Sequence, residues 1–373
     1  MKADLKLRRR SSSSGASDAL AKAPRGFRRA LLRWYDAHRR DLPWRKTRNP
    51  YRIWLAEIML QQTRVAAVLE HYRRFLESFP NVQKLADAPE SAVLAAWSGL
   101  GYYRRARMLR QCAQKVVREH GGRFPESLET LRELPGIGRY TAAAIASIAF
   151  GEPAAVVDGN VERVLQRVAG RELAAKEIWD LAQTVLEKSR PGDFNQAMME
   201  LGATVCLPRG PKCAACPVRR WCATRGEQPR EAASVRQVKK ETWSLLEQQD
   251  GHVRLLQRSR ADSLMAGMWE LPEFVPKPAG VAAGLRFAPD GAEPPPHTAA
   301  DSRNALRKKT ASLTHWRTFR HSITDTDYTV HVVRRRVIRK ANGARGKWIA
   351  ASELAHVPIT GLTRKVLRAA GII

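Results

Sequence analysis

Three groups of residues in this chain have the types and spacing to do chemistry. Glu57 lies in YRIWLAEIMLQQ, flanked by Trp54, Leu55, Ile58, Met59 and Leu60. A carboxylate in such company is costly unless paired, and desolvation raises its pKa. Arg45 and Arg52 are near enough in sequence for a plain structural ion pair to be the competing account. The second group lies between Leu131 and Val168. Pro135-Gly136-Ile137-Gly138 reads as a tight turn whose two glycines let backbone N–H groups approach a ligand with no Cβ between them. A helix start directly after it adds partial positive charge, which together makes a seat for a phosphate. Further on, Asp158 stands in Val156-Val-Asp-Gly-Asn160 and opens another helix. A helix–helix corner with Asp158 as a plain N-cap would use the same letters. Third, Cys206, Cys213, Cys216 and Cys222 are spaced C-x6-C-x2-C-x5-C. Four thiols in so short a loop call for a metal. Zinc and an iron–sulfur cluster both stay open, although the paired C-x2-C units common in zinc sites are missing.

The elements that must position these residues are mostly helical. Phe27, Leu31, Leu32 and Tyr35 fall at helical spacing from about Gly26. Asn49-Pro50 is a helix start, with Asn as N-cap and Pro at the first position. The helix that follows is apolar nearly all round and is therefore expected to be buried. Another helix runs from Val65 through Val68, Leu69, Tyr72 and Phe75. The loop Trp97-Ser-Gly-Leu-Gly-Tyr-Tyr with Arg104, Arg105 and Arg107 suits contact with nucleic acid, with an aromatic ring as a wedge. Two core tyrosines beside a solvated arginine face are the alternative. A helix is expected to end near Glu133, and an alanine-rich one from about Tyr140 to Phe150 can pack its backbone closely on a neighbour. Helical periodicity returns from Glu177 to Met199, and Cys112 stands alone as a core residue.

Length and charge bound the rest. At 373 residues there is room for two domains, and a net charge of +29 points to a polyanion partner, with a membrane surface second. No apolar run is long enough to span a bilayer, and no secretory signal is visible. Clustered cysteines fit a metal site in a reducing compartment better than a disulfide framework. Residues 1–24 are basic and serine-rich and are expected to be disordered. Beyond the polar stretch 225–240, TWSLLEQQ and HVRLLQR flank Asp250-Gly251, a hairpin signal. Asp327 to Ile338 alternates as a strand, Gly361 to Ala370 closes with a helix, and residues 292–297 form a Pro-rich loop. An α+β domain follows.

WLAEIMLQQTRV, GLGYYRRAR, LPGIGRYTA, VVDGNVERV and the four cysteines together resemble the helix-hairpin-helix base-excision glycosylases, and within them the adenine DNA glycosylases of the MutY type. The resemblance is dense over 25–225 and looser over 236–373. It implies a disordered tail (1–24), a mostly α helix-hairpin-helix glycosylase domain (25–228) with an iron–sulfur loop (206–222), a linker (229–240) and an α+β Nudix-like domain reading 8-oxoguanine (241–373). It also implies hydrolysis of the N-glycosidic bond of adenine opposite 8-oxoguanine or guanine, in double-stranded DNA, by a monomer in the bacterial cytoplasm with no membrane role. Glu57 would protonate adenine and Asp158 would face the sugar cation, with Tyr140 and Asn160 positioning them. Gln62 and Tyr102 would fill the gap left by the extruded base, Gly136 and Gly138 would hold a phosphate, and Arg45 would line the adenine pocket. The cysteines Cys206, Cys213, Cys216 and Cys222 would carry a [4Fe–4S] cluster, beside Arg209, Lys212, Arg219 and Arg220.

One position discriminates between relatives, and another departs from the family's pattern. Tyr140 replaces the Schiff-base lysine of the endonuclease III branch, so strand cleavage is not expected. Phe319-Arg320-His321 matches the family's Phe-Ser-His recognition loop except at Arg320, and no catalytic Nudix box is present. An oxidised-pyrimidine or thymine-mismatch glycosylase and a non-catalytic iron–sulfur DNA-binding protein are the rivals.

Overall fold

The computed structural model describes residues 24–227, 238–262, 264–274, 313–323, 326–336 and 346–373. The basic tail, most of the linker, the Pro-rich loop and Ile338 lie outside those residues. Helices α1 (Pro24–His38), α2 (Pro50–Leu60), α3 (Val65–Ser78), α4 (Val82–Asp87), α5 (Glu90–Trp97), α6 (Arg104–His120), α7 (Leu128–Arg132), α8 (Arg139–Ile145), α9 (Gly159–Ala169), α10 (Ala175–Val185) and α11 (Pro191–Thr204) precede a sheet region. There, strands β1 (Val238–Gln249), β2 (His252–Gln257), β3 (Trp269–Glu270), β4 (Leu313–Ile323), β5 (Thr326–Arg336) and β6 (Lys347–Ala350) are followed by α12 (Gly361–Ala369). Among the described residues no helix is long and apolar enough to cross a membrane. The chain divides into two compact units, Met1–Asp87 with Met108–Glu231, and Ala88–Arg107 with Ala232–Ile373.

Helix ends in the first unit follow local chemistry. Asn49 caps α2 by accepting from the Arg52 N–H, with Pro50 at the first position, as its sequence dictates. Every residue from Ile53 to Met59 in α2 is buried, Glu57 included. The periodicity expected from Glu177 to Met199 resolves into two helices: α10 ends at Val185, where Leu186 turns to extended backbone (ψ 135°), and Pro191 starts α11 at its first position. The expected alanine-rich helix is α8 followed by a π turn, Ala146–Phe150. Close backbone packing is realised there: a Cβ on Gly192 of α11 would lie 2.7 Å from Ile148 Cα and from the Ser147 carbonyl oxygen. Phe27, Leu31, Tyr35, Val164, Leu165, Phe194, Met198 and Leu201 knit α1, α9 and α11 into one core, and Cys112 is fully buried.

In the second unit, Asp250 (φ 48°) and Gly251 (φ 72°) form the two-residue hairpin turn, with Gln249 opposite His252. The sheet order is β3-β2-β1-β5-β4, with β6 on β2 and β1 parallel to β5. Helix α12 lays Val366 and Leu367 on Leu246, Phe319, Val330 and Val332. The segment through α5 belongs here too: Ser98 Oγ donates to the Ile359 carbonyl at 2.8 Å, and Arg364 Nε to Ser98 Oγ at 3.2 Å.

Candidate active site

Glu57 projects from α2 and accepts a 2.7 Å hydrogen bond on Oε2 from the Tyr140 hydroxyl of α8. No ion pair to Glu57 occurs among the described residues, so the structural-pair account has no support in the geometry. Burial pushes the Glu57 carboxyl from 4.5 up to about 7; the Tyr140 hydroxyl and the Arg45 charge pull it down, and the nearby Asp158 charge pushes it up. Tyr140 is itself raised, first by burial and then by Glu57 and Asp158. Both carboxylates therefore act on the same phenol and on each other.

Asp158 is the N-cap of α9. Its Oδ1 accepts from the Asn160 N–H (2.9 Å) and the Val161 N–H (2.7 Å), and its Oδ2 from Asn160 Nδ2 (2.9 Å). Asp158 is half-buried, so it is both a cap and accessible. The extended segment leading to it is pinned from two helices. Buried Asn195 accepts from the Val156 N–H (3.1 Å) and donates to the Ala154 carbonyl (2.8 Å). Gln183 accepts from the Ala155 N–H (2.9 Å) and donates to the Pro153 carbonyl (2.7 Å). At Gly202 of α11 a Cβ would come 2.6 Å from Asn160 Cβ, so α11 presses directly on the α9 start.

Buried Glu200 of α11 takes Arg40 Nε (2.8 Å) and Nη2 (2.6 Å) and Arg45 Nη2 (2.7 Å). Arg45, expected at the base pocket, is thus anchored to a second carboxylate. Burial works to raise Glu200, but hydrogen bonds from Arg40 and Arg45 win and hold it at about 2. Sequence reasoning missed Glu200, Arg40, Asn195 and Gln183. The signal that singled out Glu57, a carboxylate in an apolar helix, is equally present in FNQAMMELGA.

The hairpin between α7 and α8 exposes Gly136 (φ 76°) and Gly138, and a Cβ on Gly138 would meet nothing within 4 Å. Beside it, the Arg139 guanidinium sits 3.8 Å over the Trp179 ring. Gln62 and Tyr102 are both exposed and both left-handed, at φ 54° and 47°, a conformation costly for residues with a side chain. Such strain marks both as functional candidates, and the exposure of Tyr102 sets aside its reading as a core residue; Tyr103 is the buried one of the pair.

Cys206, Cys213, Cys216 and Cys222 line one pocket with Arg167, Lys212, Arg219 and Arg225. Arg167 Nη1 donates to Cys206 Sγ at 3.3 Å, and the Arg225 N–H to Cys222 Sγ at 3.4 Å. Among the described residues no three His, Cys, Asp or Glu side chains converge tightly enough for a single metal ion. The four thiols nevertheless share one pocket lined by cations, and thiols are the donors an iron–sulfur cluster takes. Arg209, Lys212, Arg219 and Arg220 are exposed around it.

Phe319, Arg320 and His321 differ from expectation: they lie within β4, paired with Val330, Thr329 and Tyr328, and not in a loop. Phe319 is buried in the core, Arg320 is exposed, and His321 is lowered by burial and by Lys365.

Residues 55–188 match the family described as HhH-GPD superfamily base excision DNA repair protein. A solved thermostable thymine-DNA glycosylase is 34% identical with a TM-score of 0.52, and the alignment covers 98% of that chain and 56% of this one. The chain belongs to the HhH-GPD superfamily, with a helical glycosylase-type unit and an α+β second region. Among its curated relatives are adenine DNA glycosylases. That of Rattus norvegicus is 52% identical over 211 residues, covering 52% of this chain and 41% of the relative. The Homo sapiens protein is 50% identical over 214 residues, covering 53% and 39%. The Arabidopsis thaliana protein is 38% identical over 299 residues, covering 67% and 47%. The chain thus spans less than half the length of these relatives.

Proposed function

We propose that this protein is a monofunctional DNA glycosylase that hydrolyses the N-glycosidic bond of adenine mispaired with 8-oxoguanine or guanine. The observation that carries it is the shared environment of Glu57 and Asp158, one carboxyl raised by burial and the other ringed by N–H donors at a helix start. That is the division of labour a poor leaving group requires. Glu57 gives its proton to adenine N7 while the C1′–N9 bond breaks and its electron pair leaves with the base. Asp158 faces the sugar cation that forms, and water attacks C1′, returning a proton to a carboxylate. Tyr140 fixes Glu57 by its 2.7 Å hydrogen bond, and Asn160 fixes Asp158.

Reaching the base requires extruding it, a cost of a few kcal/mol that exposed Gln62 and Tyr102 would offset by occupying the gap. The Gly136–Gly138 hairpin would seat a phosphate, and the charge of +29 supports duplex DNA as the partner. The four cysteines would hold a [4Fe–4S] cluster, which when bound would tie the 206–222 loop and hold its cations towards phosphates. Arg320 and His321 would face the 8-oxoguanine strand.

Single-turnover release of base from duplexes with adenine opposite 8-oxoguanine, adenine opposite guanine and thymine opposite guanine tests this reading, comparing the wild type with Glu57→Gln and Asp158→Asn. Adenine release by the wild type, lost by about 10³-fold or more in both variants while duplex binding persists, is expected. Preference for thymine, or unchanged release in either variant, overturns it.

A further inference from the structure

We infer that Glu200 is a positioning residue for this reaction: by holding and neutralising Arg45 it keeps that guanidinium from pairing with Glu57, and so keeps Glu57 able to act as an acid. The inference deepens the adenine glycosylase reading and rests on it. Its geometric basis is a three-way clamp. Arg45 Nη2 and Arg40 Nη2 both reach Glu200 Oε2, at 2.7 and 2.6 Å, while the Arg40 backbone N–H and Nε reach Oε1 at 3.0 and 2.8 Å. Arg45 Nη1 also donates to the Arg40 carbonyl at 3.2 Å, and the guanidinium carbon lies 5.5 Å from the centre of the Tyr35 ring. The Glu200 side chain is fully buried and that of Arg45 is 9% exposed, so water screens neither charge well.

Arg45 is within electrostatic reach of Glu57, and its charge favours the ionised carboxylate, the form useless for protonating a base. The groups facing Glu57 are Tyr140 from α8, Asp158 from the α9 start and Arg45 from the turn before α2. Those facing Glu200 are Arg40 and Arg45, with Tyr35 alongside, itself faced by Arg39 and Asp193. Of these, only Glu200 gives Arg45 an ionised partner by direct contact. Its neighbour Met199 places Sδ 3.4 Å from the Tyr140 hydroxyl, so one turn of α11 touches both the clamp and the phenol that holds Glu57. If Glu200 were only a structural anchor, its loss would slow the reaction equally at every pH.

The test is an infrared titration of the Glu57 carboxyl, assigned by its disappearance in Glu57→Gln, beside the pH profile of adenine release. In Glu200→Gln both the titration midpoint and the basic limb of the profile are expected to fall by about one pH unit. In Arg45→Met, which removes the charge from the other side, the midpoint is expected to rise, and the double variant is expected to return towards the wild type. A midpoint that stays put or rises in Glu200→Gln overturns the inference; if that variant fails to fold, a midpoint that does not rise in Arg45→Met does so. The titration needs no turnover, so a wild type that releases no adenine defeats the functional reading separately.

Discussion

Single residues already separate a scaffold from an enzyme. Asp158 caps α9 with two backbone N–H bonds, and asparagine is as good an N-cap as aspartate. Asp158→Asn is therefore expected to leave the melting temperature within a degree or two while removing most adenine release; equal loss of both would reduce Asp158 to a cap. Glu57 gives the complementary signature. Its folded pKa of about 7 stands above the ordinary 4.5, so the fold is most stable while the carboxyl is protonated. Stability is lost as pH climbs from 4.5 through about 7, to a total of about 3 kcal/mol above that range. Glu57→Gln stays neutral throughout. The variant is expected to melt no higher than the wild type at pH 4.5 and several degrees higher at pH 8, read by calorimetry at both pH values. A gap that does not widen with pH would mean that Glu57 titrates normally.

At the scale of elements, two glycines with opposite surroundings distinguish close packing from ligand approach. Gly202 has no room, because a Cβ would lie 2.6 Å from Asn160 Cβ and 2.9 Å from the Asn160 carbonyl oxygen. Gly202→Ala is expected to cost about 1–3 kcal/mol in denaturant unfolding and to slow adenine release by moving the α9 start. Gly138 has open space and an ordinary φ of −85°. Gly138→Ala is expected to leave stability unchanged or slightly higher while weakening duplex binding several-fold, since only a ligand backbone would meet the new methyl. Unchanged binding would return the hairpin to a plain helix–helix corner. These elements were also the legible ones. The Asn49 and Asp158 caps, the buried face of α2 and the Asp250-Gly251 turn are local signals, written in adjacent letters. The Glu200 clamp, the pins from Asn195 and Gln183, and the strand setting of Phe319 depend on residues brought together from far along the chain, which no spacing rule reports.

At the scale of the whole molecule, the second unit takes in a stretch of the helical region as well as the sheet. Ala88–Arg107, which carries Tyr102, clusters with the C-terminal residues. Ser98 Oγ, and the Tyr103 hydroxyl at 3.4 Å, both donate to the Ile359 carbonyl, and Arg107 Nε pairs with Glu90 at 3.0 Å within the same segment. Deleting residues 236–373 removes that acceptor and opens the buried Ser98 and Tyr103 to water, so the segment loses an anchor. The deletion is therefore expected to do two things: erase discrimination between 8-oxoguanine and guanine opposite adenine, and raise hydrogen exchange across 98–107. Arg320→Ala combined with His321→Ala should do only the first, because neither side chain supports that segment. Discrimination that survives both changes would remove the recognition role from this unit, whereas exchange unaltered by the deletion would show that the Tyr102 loop holds its shape without Ile359. If both expectations hold, the unit contributes to excision twice, by reading the base opposite adenine and by keeping an exposed, left-handed Tyr102 ready to fill the gap.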